Sequence, residues 1–212
     1  GAGKQSHERS ECYRETPADS GPGRAASFQS WETIKGPLTL KNENCRKDIL
    51  KISAMYLERY YSTCARLMKK HAPNKLYLGS RIHHKENLYA LLASSRHCDV
   101  VSVNIYDFSP LTMDWPEECK KPVIVGEFHF GTINEAGVWG GGLCTATDLD
   151  HAAQQFQTYV EHAYQDPRSI GVHYFQFRDQ LVTGRKDGEN YRIGFVDIVD
   201  QPYEAMIKKS RE

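Results

Sequence analysis

Apolar side chains at Ile49, Ile52, Met55, Tyr56, Tyr60, Leu67 and Met68 recur at helical spacing across residues 48–71, and Ala72-Pro73-Asn74 ends the pattern. This predicts a long amphipathic helix. Beyond it the pattern shortens. Residues 76–80 read as a strand, 86–97 as a second helix, and 99–104 as a strand ending in the polar Asn104. After a loop holding Trp115-Pro116, the run Pro122-Val123-Ile124-Val125-Gly126 leads straight into Glu127. A short β-branched run opened by Pro reads as a buried parallel strand. Residues 148–164 form the next helical pattern, with Asp148 near the N-terminus where a carboxylate complements the dipole. Residues 170–177 read as a fourth strand and 202–209 as a closing helix. Strands alternating with helices predict an α/β fold with parallel pairing and right-handed crossovers.

Residues 1–28 are rich in Gly, Ser, Glu, Arg and Pro and nearly empty of large apolar side chains, so they read as a flexible leader ahead of one domain at 29–212. Four βα units make half of a (β/α)8 TIM barrel, which typically takes about 250 residues. The expected architecture is therefore the C-terminal part of such a barrel, incomplete in this chain. Three explanations stay open: the chain is a fragment, it pairs with another chain, or it is a smaller open sheet.

Charge narrows the partners. Lys plus Arg and Asp plus Glu number 27 each, so no net field draws nucleic acid or an anionic membrane. A neutral substrate fits this balance. No apolar run approaches the roughly 18 residues of a membrane span, and the first residues lack the apolar stretch of a signal peptide. The six cysteines are scattered without a Cys-x-x-Cys pair, which predicts free thiols and neither zinc nor another cofactor.

Candidate chemistry gathers at the strand ends. In sequence order these carry Arg81 with His83 and His84, Asn104 with Tyr106 and Asp107, Glu127 with His129, and Gln176 with Arg178 and Asp179. Carboxylates serve as acid, base or nucleophile on sugars, while Asn, His, Arg and aromatic groups hold hydroxyls and ring faces. Each residue also has a plain role open to it: Glu127 as a loop or capping residue, Arg178 and Asp179 as partners of each other, Asn104 as a strand terminator. Their shared position favours function, because the C-terminal face of a barrel holds its active site. Gly140-Gly141-Gly142 lacks the ending of a phosphate loop and reads as a flexible rim, where Trp139 either stacks on a sugar or packs on the domain. Asn134-Glu135 reads as rim, and Asn42-Glu43 as a helix entry rather than an acid/base.

The blocks 76–81, 99–106 and 122–131, and above all His173-Tyr174-Phe175-Gln176-Phe177-Arg178-Asp179-Gln180 with Thr183-Gly184-Arg185 and residues 187–197, resemble the C-terminal half of the catalytic domain of glycoside hydrolase family 50 β-agarases. The resemblance runs in order over residues 31–203. It implies a retaining (β/α)8 hydrolase acting on agarose or another β-linked galactan, with Glu127 as nucleophile and a secreted or periplasmic location. It also implies an acid/base in an Asp-Asn-Glu segment upstream of the matched region, and this chain has none. Tyr174 stands where the family commonly has Trp, Ser80 where it commonly has Cys, and residues 132–139 depart from the usual loop. Candidate substrate-binding residues are Arg81, Asn104, Tyr106, His129, Trp139, Tyr174, Gln176, Arg178 and Asp179. A retaining mechanism needs two carboxyl groups about 5 Å apart. Two other functions therefore stay in view: a noncatalytic carbohydrate-binding remnant, and a different small α/β enzyme using Glu127 as a base.

Overall fold

A computed structural model describes residues 43–83, 87–134 and 136–212. The leader at 1–28, Asn42, His84 and Glu135 lie outside the described residues. Residues up to Leu57 and those from Glu58 onward form two separate units. The described part of the first is the opening half of helix α1, Glu43–His71. Lys69, Lys70 and His71 occupy its last turn, where cations complement the dipole, and Pro73 follows.

The second unit holds the remaining elements: β1 (Ile82–His83), α2 (Leu88–His97), β2 (Val101–Asn104), a short 3-10 turn (Pro110–Thr112), β3 (Val123–Phe128), β4 (Gly131–Thr132), β5 (Thr145–Ala146), α3 (Leu149–Gln165), β6 (Ser169–Tyr174) and α4 (Glu204–Lys209). Four strands form one parallel sheet in the order β1-β2-β3-β6, so neighbours in the sheet follow one another in the chain except that β4 and β5 fall between β3 and β6. The fold is α/β, as the alternation of patterns requires. A two-residue parallel pair, β4 with β5, sits in the loop after β3.

The first predicted strand is displaced. Residues 76–80 run beside the sheet without joining it: Tyr77 N–H donates to Asp99 Oδ2 at 2.8 Å and Asp99 N–H donates to the Tyr77 carbonyl at 2.9 Å. Gly79 then takes a φ of +67°, and a Cβ there would stand 2.6 Å from Cys98 Sγ. The chain turns at this point and pairing starts at Ile82. Arg81 therefore precedes its strand instead of ending one.

The core lies between the sheet and α3. Asp148 caps α3, its Oδ1 accepting from His151 N–H at 2.8 Å. Ala152, Ala153, Phe156, Tyr159 and Ala163 recur on one face, and Phe128 of β3 stacks on Tyr159 with centroids 4.0 Å apart and planes 6° from parallel. Phe156 also lies nearly parallel to Phe128, Tyr174 meets Phe128 edge-on, and Phe156, Tyr174 and Phe195 meet one another edge-on. Full burial of such a side chain contributes about 1.5–3 kcal/mol, so this cluster fixes where β3 lies.

The near end of the unit is clamped by Glu58. Its carboxylate accepts from Arg96 Nη2 at 2.6 Å and Nε at 3.0 Å, and binds His97 Nε2. The His97 contact first, opposed by burial and aided by Arg96, holds the Glu58 carboxyl below its ordinary range. Cys64, Cys98, Cys119 and Cys144 are free thiols. No helix among the described residues is long and apolar enough to cross a membrane.

Candidate active site

The site is aimed by an irregularity in β3. Val103 of β2 pairs with Val125, but Asn104 pairs with Glu127, so β3 carries one extra residue at Gly126. Such a bulge re-aims the side chain beside it. Phe128 then faces α3 and the core, and Glu127 turns to the other side. Gly126 makes this arrangement fit, because a Cβ would lie 2.8 Å from Asn104 Oδ1 and 2.9 Å from Arg81 Cδ. A larger residue here would push both neighbours away.

Both Glu127 oxygens are held. Arg81 Nη1 donates to Oε1 at 2.9 Å, and the Tyr106 hydroxyl donates to Oε2 at 2.8 Å. The carboxylate stays partly open, with 22% of its side-chain surface exposed against 50% for Arg81. Burial first, and then the bond to Glu127, raise the Tyr106 phenol well above its ordinary value, so it remains a donor across the usual pH range. Asn104 Oδ1 is buried without a hydrogen-bond partner beside this pair. A cavity of about 340 Å3 opens along Asn104, Tyr106, Asp107 and His83, with Met113 and Leu143 as its apolar wall.

His129 lies beneath, 1% exposed, its ring 4.8 Å from that of Tyr106. Leu143 N–H donates to its Nε2 at 2.8 Å, which makes that nitrogen the acceptor and leaves the proton on Nδ1. Burial pulls the imidazole down to about 4, against smaller opposing effects of the Phe175 backbone and Glu127. The ring is therefore neutral at physiological pH and acts as a packed support for Tyr106.

Arg81, Asn104, Tyr106, Glu127 and His129 are thus brought together. The other sequence candidates go elsewhere. Tyr174 faces α3, and its hydroxyl donates to the Phe130 carbonyl at 3.0 Å and accepts from Phe130 N–H at 3.2 Å. Strand alternation turns it toward α3 and apart from the Glu127 cluster. Gln176 Nε2 donates to the Arg178 carbonyl, and Arg178 pairs with Asp200 at 2.5 Å rather than with Asp179. Asp179 is 4% exposed and accepts from Gly194 N–H and the Tyr203 hydroxyl, both at 2.6 Å. Trp139 is half-buried with its indole N–H on the Gln180 carbonyl at 2.9 Å. Asp179 and Trp139 line a second cavity. Sequence reasoning assigned no part to Gly126, although a glycine inside an apolar strand is a signal for a bulge or a close approach.

Among the described residues no group of three or more His, Cys, Asp or Glu side chains is placed to hold a metal ion. What the cluster offers chemically is one oriented, partly exposed carboxylate with a fixed cation and a fixed phenol. That suits a nucleophile or a base.

No family model matches the chain. Over 195 residues, 89% of this chain, it is 32% identical to β-agarase B of Vibrio sp. (strain JT0107), of which the match covers 20%. Its backbone is similar to a solved exo-β-agarase at a TM-score of 0.72 and 31% identity, covering 80% of this chain and 23% of the other. The agarase AgWH50C gives the same TM-score at 35% identity, covering 82% and 27%. The chain thus spans about a fifth of the length of the curated β-agarase it matches, and over that span it is similar to the β-agarases of glycoside hydrolase family 50.

Proposed function

We propose that this chain carries the nucleophile side of a retaining glycoside hydrolase site acting on a β-linked galactan such as agarose. In this reading residues 29–212 are part of a (β/α)8 catalytic domain and Glu127 is the nucleophile. The observation that carries it is the double anchoring of Glu127 at the C-terminal end of β3 by Arg81 and Tyr106. One oxygen attacks the anomeric carbon as the bond to the leaving oxygen breaks; water then hydrolyses the glycosyl-enzyme ester. Arg81 orients the carboxylate before attack, and Tyr106 holds the oxygen that does not attack. The cavity along Asn104 and Tyr106 receives the sugar.

The acid/base is assigned to a carboxyl group beyond the described residues. Among those described, no second Asp or Glu hydrogen-bonds to any member of the cluster. The same observation favours a second reading, in which the chain holds the saccharide without cleaving it.

A substrate that needs no acid separates the two. Fluoride departs from a galactosyl fluoride without protonation, so a 2-deoxy-2-fluoro-β-galactosyl fluoride reports the nucleophile alone. The expected result is one covalent sugar adduct mapped to Glu127 and absent in Glu127→Gln, whose amide cannot form the ester. An adduct on another residue rejects Glu127 as the nucleophile. Saccharide binding with no adduct supports the noncatalytic reading.

A further inference from the structure

A second cavity, of about 430 Å3, lies away from Glu127 and shares no lining residue with the first. Asn134, Trp139, Asp179, Arg192, Asp197 and Tyr203 carry its chemistry. A single extended stretch separates the two. Gly140 N–H donates to the Asn190 carbonyl at 3.1 Å, Arg192 N–H to the Gly140 carbonyl at 3.0 Å, and Thr132 N–H to the Arg192 carbonyl at 3.0 Å. Neighbours on an extended chain face opposite sides. Tyr191 accordingly points at His129, ring centroids 5.8 Å apart, while the Arg192 guanidinium lies 5.0 Å from the centroid of the Tyr203 ring.

The polar groups of this cavity are preset. Gly194 N–H and the Tyr203 hydroxyl fix the two Asp179 oxygens, and Arg192 Nε donates to the Tyr203 oxygen at 3.1 Å. That chain of bonds orients the guanidinium, whose terminal nitrogens make no hydrogen bond among the described residues. Asn134 Oδ1 takes both Val138 N–H and Trp139 N–H, so the amide nitrogen is left to donate. Asp197 Oδ1 takes Val199 N–H and Gln201 N–H, leaving Oδ2 as an acceptor. Trp139, held by its bond to Gln180, adds an aromatic wall.

We infer that this cavity binds a neutral saccharide unit, with Trp139 against the ring and Asn134, Arg192 and Asp197 on its hydroxyls. Fixed donors, fixed acceptors and one aromatic surface are what an uncharged polyol needs. An anion is disfavoured because two carboxylates face a single guanidinium. The identity of the sugar as a galactan residue rests on the proposed function. The site would hold a stretch of the polysaccharide remote from the bond under attack.

The test uses the full chain, nitrogen-labelled, titrated with agarotetraose and separately with cellotetraose. The Trp139 indole N–H signal is assigned by its loss in Trp139→Phe. The expected result is a saturable shift of that signal with agarotetraose, retained in Glu127→Gln and at least about tenfold weaker in Arg192→Gln. Unchanged methyl signals in Arg192→Gln show that the variant is folded. A Trp139 signal that stays still at millimolar saccharide overturns the inference. So does a shift unaltered by Arg192→Gln. If cellotetraose moves it and agarotetraose does not, the cavity stands as a saccharide site and the galactan reading fails. A stationary Trp139 alongside sugar labelling of Glu127 rejects the cavity and leaves the galactan reading intact.

Discussion

Gly126 sits directly under Asn104, so close that a methyl group on its Cα would stand 2.8 Å from the Asn104 amide oxygen. The same methyl would meet the middle of the Arg81 side chain at 2.9 Å. Gly126→Ala should therefore move Arg81 off Glu127 while leaving the core behind β3 untouched. The expected outcome is labelling of Glu127 by the fluoro sugar slowed about 10²-fold, the scale set by a misplacement near 1 Å. An unchanged labelling rate with unchanged thermal stability would show that the bulge does not position the carboxylate.

Tyr106→Phe removes the donor to one Glu127 oxygen and keeps the ring that packs on His129. A hydrogen bond to a charged group is worth about 1.5–3 kcal/mol, which converts to roughly 10- to 100-fold in rate if the bond strengthens toward the transition state. The labelling rate constant at saturating reagent measures this. A loss confined to reagent affinity would instead assign Tyr106 to binding.

His129 predicts a pH dependence of stability. Its ordinary value is 6.5 and burial lowers it to about 4 in the folded chain, so between those limits the unfolded chain binds the extra proton. Stability should then rise with pH from about 4 to about 6.5 and level off above, by at most about 3 kcal/mol. The carboxylates whose values are lowered, Glu58 and Asp166 among them, lose their contribution at lower pH. Urea unfolding of wild type and His129→Gln at pH 4.5, 5.5 and 7 checks this. Equal slopes in the two proteins would remove His129 as the source.

Tyr159 holds the core to the back of the site, because its buried hydroxyl donates to the Ile105 carbonyl at 2.9 Å, one residue beyond Asn104. Tyr159→Phe keeps the stack on Phe128 and leaves that carbonyl short of its donor. The expected cost is about 1–3 kcal/mol in unfolding free energy. A change below about 0.5 kcal/mol would mean that the carbonyl finds another partner.

Much of the fold was legible because its signals are periodic. The apolar faces of α1 and α3 and the β-branched run of β3 announced themselves, and Glu127 stood out as the carboxylate that ends that run. The displacement of the first strand to Ile82 was hidden, because Gly79 and its contact with Cys98 act over distance in the chain. The position of Tyr174 apart from the Glu127 cluster was hidden for a related reason. Which face a strand residue takes depends on register, and register near β3 is shifted by a residue that reads as ordinary glycine. The partners of Asp179 were equally hidden, since Gly194 and Tyr203 return from downstream to meet it.

The extra residue in β3 also decides which kinds of genetic change this region tolerates. Substitutions along Val123–Phe128 alter one contact at a time and can be compensated. Deleting Gly126 would take out the bulge: Glu127 would still lie opposite Asn104, but in a regular ladder that no longer re-aims its side chain, while Phe128 kept its place against Tyr159. The chemistry would fail behind an intact core, so the site and not the packing fixes the length of this segment.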